Sequence, residues 1–140
     1  MPSFDWDNNV CFVCGTDVAG LHLKFSGDAR EVRAHTVITL PYQGFAGMVH
    51  GGILAGIVDD AMWHVIHQQQ NDFPVTAELT VRYRSVARIG ERLTVTGRLI
   101  SYRRRLMVAQ AVIENEAGQI VVTAEGRFMP RPAEDGEMRA

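Results

Sequence analysis

The sequence predicts an α+β fold in which one curved antiparallel sheet of five to six strands wraps one long central helix. Three observations carry that expectation. Ile53 to Gln68 is apolar at helical spacing and free of proline. Four later runs, 76–86, 92–101, 105–115 and 120–129, are rich in β-branched residues and alternate with a period near two. The chain has 140 residues, the length of one domain, enough to bury roughly two-thirds of the surface its unfolded form exposes. One domain is expected over residues 1–129, followed by a polar tail, PRPAEDGEMRA, at 130–140.

Taken in order, residues 1–20 read as irregular apart from a turn at CGTD. LHLKF, Leu21 to Phe25, alternates as a half-buried strand does, and EVRAHTVITL, 31–40, is expected to pair with it across the SGDAR turn. PYQGFAGMVHGG then carries Pro41 and four glycines, the composition of a loop with unusual backbone angles. In the helix, Leu54, Ile57, Val58, Ala61 and Val65 form a stripe that Ile53, Ala55, Met62, Trp63 and Ile66 broaden nearly all round. Such a helix is wrapped by the rest of its domain. In TAELTVRYRSV, Ala77, Leu79, Val81 and Tyr83 point one way and Glu78, Thr80, Arg82 and Arg84 the other. RIGE, SYRRR and NEAGQ punctuate the remaining strands into a meander. A sheet of this kind has long edges, and edges are normally paired or covered, so a homo-oligomer is expected, a dimer with a continuous sheet or a dimer of dimers.

Composition excludes several classes of function. The formal net charge is -2 and charged residues are 21% of the chain, without the positive surplus of a nucleic-acid partner. MPSFDWDNN lacks the basic-then-apolar order of a leader, and no apolar run approaches the roughly 20 residues of a membrane span; a soluble, cytoplasmic protein is expected. Cys11 and Cys14, in CFVCG, have the spacing of a redox pair or of half a zinc site. Zinc normally takes four ligands, and His22 and His35 are the nearest residues to complete a set. The plain reading is two reduced, mostly buried thiols beside a turn at Gly15, with no metal or cofactor.

Asp59 and Asp60 stand in the middle of the apolar helix, although an ionised carboxylate buried without partners costs on the order of several kcal/mol. His64 and His67 lie four and seven residues beyond Asp60, on nearly the same face. Asp60 can therefore be a structural partner of His64, a metal ligand with both histidines, or part of a partly solvated interface face.

YQGFAGMVHGGILAGIVDDAM, with CFVCGTDVAGLHLKF upstream and VTAELTVRYRSVARIGERL downstream, resembles the hotdog-fold acyl-CoA thioesterase superfamily, in particular thioesterases of the phenylacetate-pathway type. The resemblance covers residues 11 to about 129, and HGG with an acid nine residues after His50 is its most specific element. It implies that the amide of Gly51 or Gly52 polarises a thioester carbonyl and that Asp59 is general base or nucleophile. Many relatives carry an asparagine or glutamine in the preceding loop; here Gly44 stands six residues before His50, and Gln43, seven before, is the only amide to take that part. Thr76 matches a strand-start hydroxyl of some relatives, and is expected to touch the nucleophilic water.

Elementary chemistry is consistent with those roles. A thioester needs a polarising donor, an activated water or nucleophile, and exclusion of bulk solvent, and the first turn of a helix supplies free N–H groups. Desolvation is expected to raise the Asp59 pKa toward that of a useful base. Nine residues at about 100° and 1.5 Å each put Asp59 on the opposite side of the helix from His50 and about 13 Å along it. If both serve one site, the acid comes from a second copy. His50 is expected to shape the loop, and Met48 and Trp63 to form core or pocket wall. Arg103, Arg104 and Arg105 either meet coenzyme A phosphates or make a solvated hairpin turn. The function expected is hydrolysis of an acyl-CoA thioester. The alternative is a non-catalytic acyl-CoA binder or sensor on the same fold. A hydratase on a related fold is the third reading, and the Asp and His pair it uses is not evident at matching positions.

Overall fold

The computed structural model describes residues 9–16, 19–70 and 73–131. Its six-stranded sheet has the spatial order β1-β2-β4-β5-β6-β3, antiparallel throughout. The strands are β1 (Ser26–Gly27), β2 (Glu31–Val37), β3 (Val75–Tyr83), β4 (Arg92–Arg103), β5 (Leu106–Glu114) and β6 (Ile120–Met129). The helix, α1, runs Gly51–Gln70. One long helix packed against a curved six-stranded antiparallel sheet is the hotdog fold.

Side-chain size along the sheet explains how the helix is held. Gly97, Ala111 and Ala124 are cross-strand neighbours on β4, β5 and β6, and Ala109 and Gly126 are neighbours at the next inward level. These small residues form a trough, bounded by the bulkier buried rows Met107–Phe128 and Val95–Ile113–Val122. The helix sits so close that a Cβ on Gly97 would lie 2.7 Å from the Ala61 carbonyl oxygen. Leu54, Ile57, Val58, Ala61, Met62, Val65 and Ile66 are all buried, as a helix apolar on most sides requires.

The expected early hairpin is corrected. LHLKF alternates inward, with Leu23 buried and Phe25 packed on the core, but it is not a strand. Leu21 and Leu23 donate their N–H groups to the carbonyls of Phe12 and Val13 instead, so only Ser26–Gly27 joins the sheet. The same bonds lay residues 11–13 along the helix, where Phe12 covers Gly56. The expected strand 31–40 ends at Val37, before a 3-10 turn at Leu40–Tyr42. Residues 1–8 and 132–140, which include most of the expected tail, lie outside the described residues.

At one edge β1 has two residues; at the other β3 has nine, with Thr76, Ala77, Glu78, Thr80, Arg82 and Tyr83 exposed. A bulge at Ala77 keeps Thr76 on the helix side together with Leu79 and Val81. No helix among the described residues is long and apolar enough to cross a membrane.

Candidate active site

The loop before α1 is tied down at several points. Val49 donates to the Ala87 carbonyl and His50 to that of Tyr42, while Gly44 donates to Met48 and Ile89 to Gly47. Gly47 takes φ +81°, and its N–H donates 3.1 Å to Gln43 Oε1. The Gln43 carbonyl oxygen thus shapes the loop, leaving the side-chain NH2 as a donor. These contacts frame a cleft of about 620 Å³ lined by Gln43, Phe45, Met48, His50, Gly51, Leu54, Tyr83 and Val86 among others.

At the helix start the two glycines separate into different roles. The Gly52 N–H donates 2.8 Å to His50 Nδ1, so His50 caps the helix through its ring. The Gly51 N–H has no acceptor among the described residues and belongs to the first turn, where the helix dipole adds partial positive charge. The Tyr83 hydroxyl donates 2.7 Å to the Gly51 carbonyl, so the Gly51–Gly52 peptide is held at both ends, by Tyr83 on its oxygen and by His50 on its N–H. Tyr83 was absent from the expected site residues; its signal, an aromatic at the end of an alternating strand, is indistinguishable from a core aromatic by sequence.

Asp59 lies at mid-helix, half-buried, and accepts a 2.8 Å hydrogen bond from the Thr76 hydroxyl through Oδ1. Desolvation by burial raises its pKa; the Thr76 hydrogen bond opposes that, and the Asp60 charge adds to it. Thr76 and Asp59 are thus brought together, while His50 and Gly51 stand nine and eight residues back along the same helix. Trp63, one turn beyond Asp59, does not line the cleft: its Nε1 donates to the Pro74 carbonyl and its ring stacks on His67 at 4.8 Å. Arg103, Arg104 and Arg105 form the exposed tip between β4 and β5, also outside the cleft.

Asp60 points another way. Its Oδ2 is 3.4 Å from His64 Nε2, and its Oδ1 lies 3.9 Å from Cys11 Sγ. Cys11, Cys14 and Asp60 form a cluster, so Asp60 takes the place beside the thiols that the sequence suggested for His22 or His35; the His35 ring is instead 2.9 Å from Thr94 Oγ1.

Fold and site together define a hotdog protein with a helix start whose first N–H has no acceptor among the described residues and with a helical acid held separately by a strand hydroxyl. A family model described as the thioesterase superfamily matches residues 46–122, and the chain belongs to that superfamily. Among solved structures, a thioesterase superfamily protein is 34% identical, with a TM-score of 0.68 over 79% of this chain and 56% of its own. A Streptococcus mutans protein solved bound to acetyl CoA is 18% identical (TM-score 0.72), covering 81% of this chain and 91% of the other. The Escherichia coli PaaI protein from the phenylacetic acid degradation operon is 19% identical (TM-score 0.70), covering 76% and 82%. No curated protein sequence matches the chain.

Proposed function

We propose that this chain hydrolyses acyl-CoA thioesters as a twofold dimer, the carbonyl being polarised by Gly51 of one subunit and the water activated by Asp59 of the other. The observation that carries this reading is that Gly51, whose N–H has no acceptor among the described residues, lines the cleft while the N–H of its neighbour Gly52 is taken by His50. A donor so placed binds a developing oxyanion at no reorganisation cost. The Streptococcus mutans neighbour solved with acetyl CoA supports the substrate class.

The exposed β3 edge supports the shared site. A twofold axis at Thr80 would set Leu79 opposite the partner subunit's Val81 and Glu78 opposite the partner subunit's Arg82, apolar facing apolar and acid facing base. The same register places Tyr83 beside the bulged Thr76–Ala77 of the partner. The carboxylate held by Thr76 then approaches the peptide held by the partner subunit's Tyr83, which one subunit cannot achieve.

In the reaction, water bonds to the carbonyl carbon as its proton passes to the Asp59 carboxylate. The oxyanion is held by the Gly51 N–H. Collapse breaks the C–S bond, and the proton moves from Asp59 to the departing thiolate. Thr76 holds one carboxylate oxygen and leaves the other for the water. Phe45, 83% exposed on the cleft rim, and Met48 supply apolar surface for the acyl group, with the Gln43 NH2 as a polar contact. Trp63 walls the Asp59 half. The Arg103–Arg105 tip, on the Thr76 end of the sheet, supplies charge for coenzyme A phosphates.

The test is free-thiol release from short, medium, long and aromatic acyl-CoAs. Asp59→Asn is expected to lose about 10²–10⁴-fold in kcat. Gly51→Pro removes the donor at a helix position where proline fits, and is expected to lose about 10²–10³-fold. Tight acyl-CoA binding by folded wild type with no thiol release on any member would replace this reading with the binding module.

A further inference from the structure

We infer that Cys11, Cys14 and Asp60 form a site for a thiophilic divalent cation, of which Zn²⁺ is the prime candidate, clipping the N-terminal segment to the middle of α1. The three ligand atoms, two thiol sulfurs and a carboxylate oxygen, lie within 4.8 Å of one another. Around a tetrahedral zinc with Zn–S near 2.3 Å and Zn–O near 2.0 Å, the edges between ligand atoms come to about 3.5–3.8 Å. The Cys11 Sγ–Asp60 Oδ1 separation is 3.9 Å, close to that edge, and with the other pairs inside 4.8 Å the ligand atoms need draw in by only about 1 Å to close on an ion.

The loop is built for two sulfurs. Gly15 donates its N–H to the Cys11 carbonyl at 2.6 Å, closing the turn that turns both cysteines to one side. A Cβ on Gly15 would stand 2.4 Å from that same carbonyl oxygen, so only glycine fits. Asn9, buried, clamps the turn from both ends: Oδ1 accepts from the Cys11 N–H at 3.0 Å, and Nδ2 donates 3.3 Å to Cys14 Sγ. An amide N–H on a cysteine sulfur is the outer contact that a metal-bound thiolate needs.

The helix side carries an independent observation. Asp60 Oδ2 is buried without a hydrogen bond among the described residues, and His64 Nε2 stands 3.4 Å from it. A carboxylate beside two thiols, with one oxygen so poorly satisfied, is an expensive arrangement in a partly buried setting. A divalent cation removes the conflict, because it binds both thiolates and the carboxylate at once. His64 is placed to orient the carboxylate from outside, and a solvent molecule completes the fourth position. Asp59 plays no part in this cluster, so the inference stands or falls apart from thioester hydrolysis.

The experiment uses the full chain, purified reduced, with Zn²⁺ and Co²⁺ as probes. Competition against a chromophoric chelator is expected to give one Zn²⁺ per chain. Co²⁺ is expected to give a thiolate-to-metal charge-transfer band together with tetrahedral d–d absorption in the wild type, which needs no variant to interpret. Cys14→Ser is expected to abolish stoichiometric binding, and Asp60→Asn to weaken it by at least about tenfold. His35→Ala is expected to leave it unchanged. Absence of stoichiometric metal or of the charge-transfer band in wild type overturns the site. So does undiminished affinity in Cys14→Ser, or a Cys11–Cys14 disulfide that forms in preference to metal binding under reducing buffer. Undiminished affinity in Asp60→Asn overturns the assigned ligand set.

Discussion

Mixing two inactive variants is the sharpest test of the shared site. Asp59→Asn removes the base and leaves Gly51 intact; Gly51→Pro removes the carbonyl donor and leaves Asp59 intact. A Cβ at Gly51 meets the Tyr83 ring at 3.5 Å, ordinary contact, and the first position of a helix is where proline is best tolerated. Eight residues of helix separate the two positions, about 12 Å along the axis, so in the proposed dimer one subunit's two substitutions would fall in different sites. Unfolded together at equal amounts and refolded, the variants pair at random, and about half the dimers are mixed. Each mixed dimer holds one site with both groups and one with neither. Thiol release should therefore recover to about a quarter of wild type, against about 1% or less for either variant alone. Recovery no greater than the mean of the two separate variants, with exchange verified by mass, would place donor and base in the same chain and refute the reasoning.

Other expectations follow from single contacts. Thr76→Val deletes the hydrogen bond that holds the Asp59 pKa down against burial and the Asp60 charge. A base works only when ionised, so the acid limb of the kcat/KM profile should move to higher pH; an unmoved limb means that Asp59 is not the titrating base. A raised carboxylate pKa means that the native state takes up the proton more readily than the unfolded chain, so the burial penalty is present in full at pH 7 and stability is gained as pH falls through the folded Asp59 pKa toward the ordinary carboxylate value. Asp59→Asn should accordingly raise Tm at pH 7 by a few degrees while activity is lost, and a lowered Tm would show the acid to be a structural anchor. Gly97→Ala drives a methyl into the Ala61 carbonyl at 2.7 Å and should cost about 1–3 kcal/mol, roughly 5–10 °C in Tm. Gly126→Ala, which meets the side chains of Phe128 and Met62, should cost less; equal losses at the two positions in calorimetry would mean that backbone approach is not what limits position 97.

The legible parts of the fold are those fixed by periodicity. The helix and the four later strands fall within a few residues of their expected bounds because burial imposes one face on a strand and nearly all faces on this helix. LHLKF misled for a definable reason. Its alternation reports that Leu23 faces the core, but alternation carries no information about which backbone partner is taken, and Phe12 and Val13 supply the acceptors. Tyr83 was illegible for the opposite reason: its partner is a backbone carbonyl thirty-two residues away, and nothing in the local pattern encodes that contact. HGG, by contrast, marks a helix start whose chemistry follows from any helix, although only the structure shows that His50 occupies one glycine amide and leaves the other.

The adjacent acids acquire different meanings from their place on one helix. Successive residues point about 100° apart, so neighbours in sequence face different surroundings. Asp59 faces the edge strand through Thr76, where a second subunit can reach it; Asp60 faces the turn that carries Cys11 and Cys14. Asp59 meets the cost of burial with a strand hydroxyl at the sheet edge, whereas Asp60 stands beside His64 and the thiol cluster with one oxygen that has no hydrogen bond among the described residues. The arrangement also ties the two features mechanically. Residues 11–13 lie on α1 at Gly56, through Phe12, and at Asp60, through Cys11, so they meet the helix on either side of Asp59. A cation at the thiol cluster would therefore stiffen the stretch of helix that carries the base, and its removal should lower Tm and raise mobility there before it changes the chemistry itself.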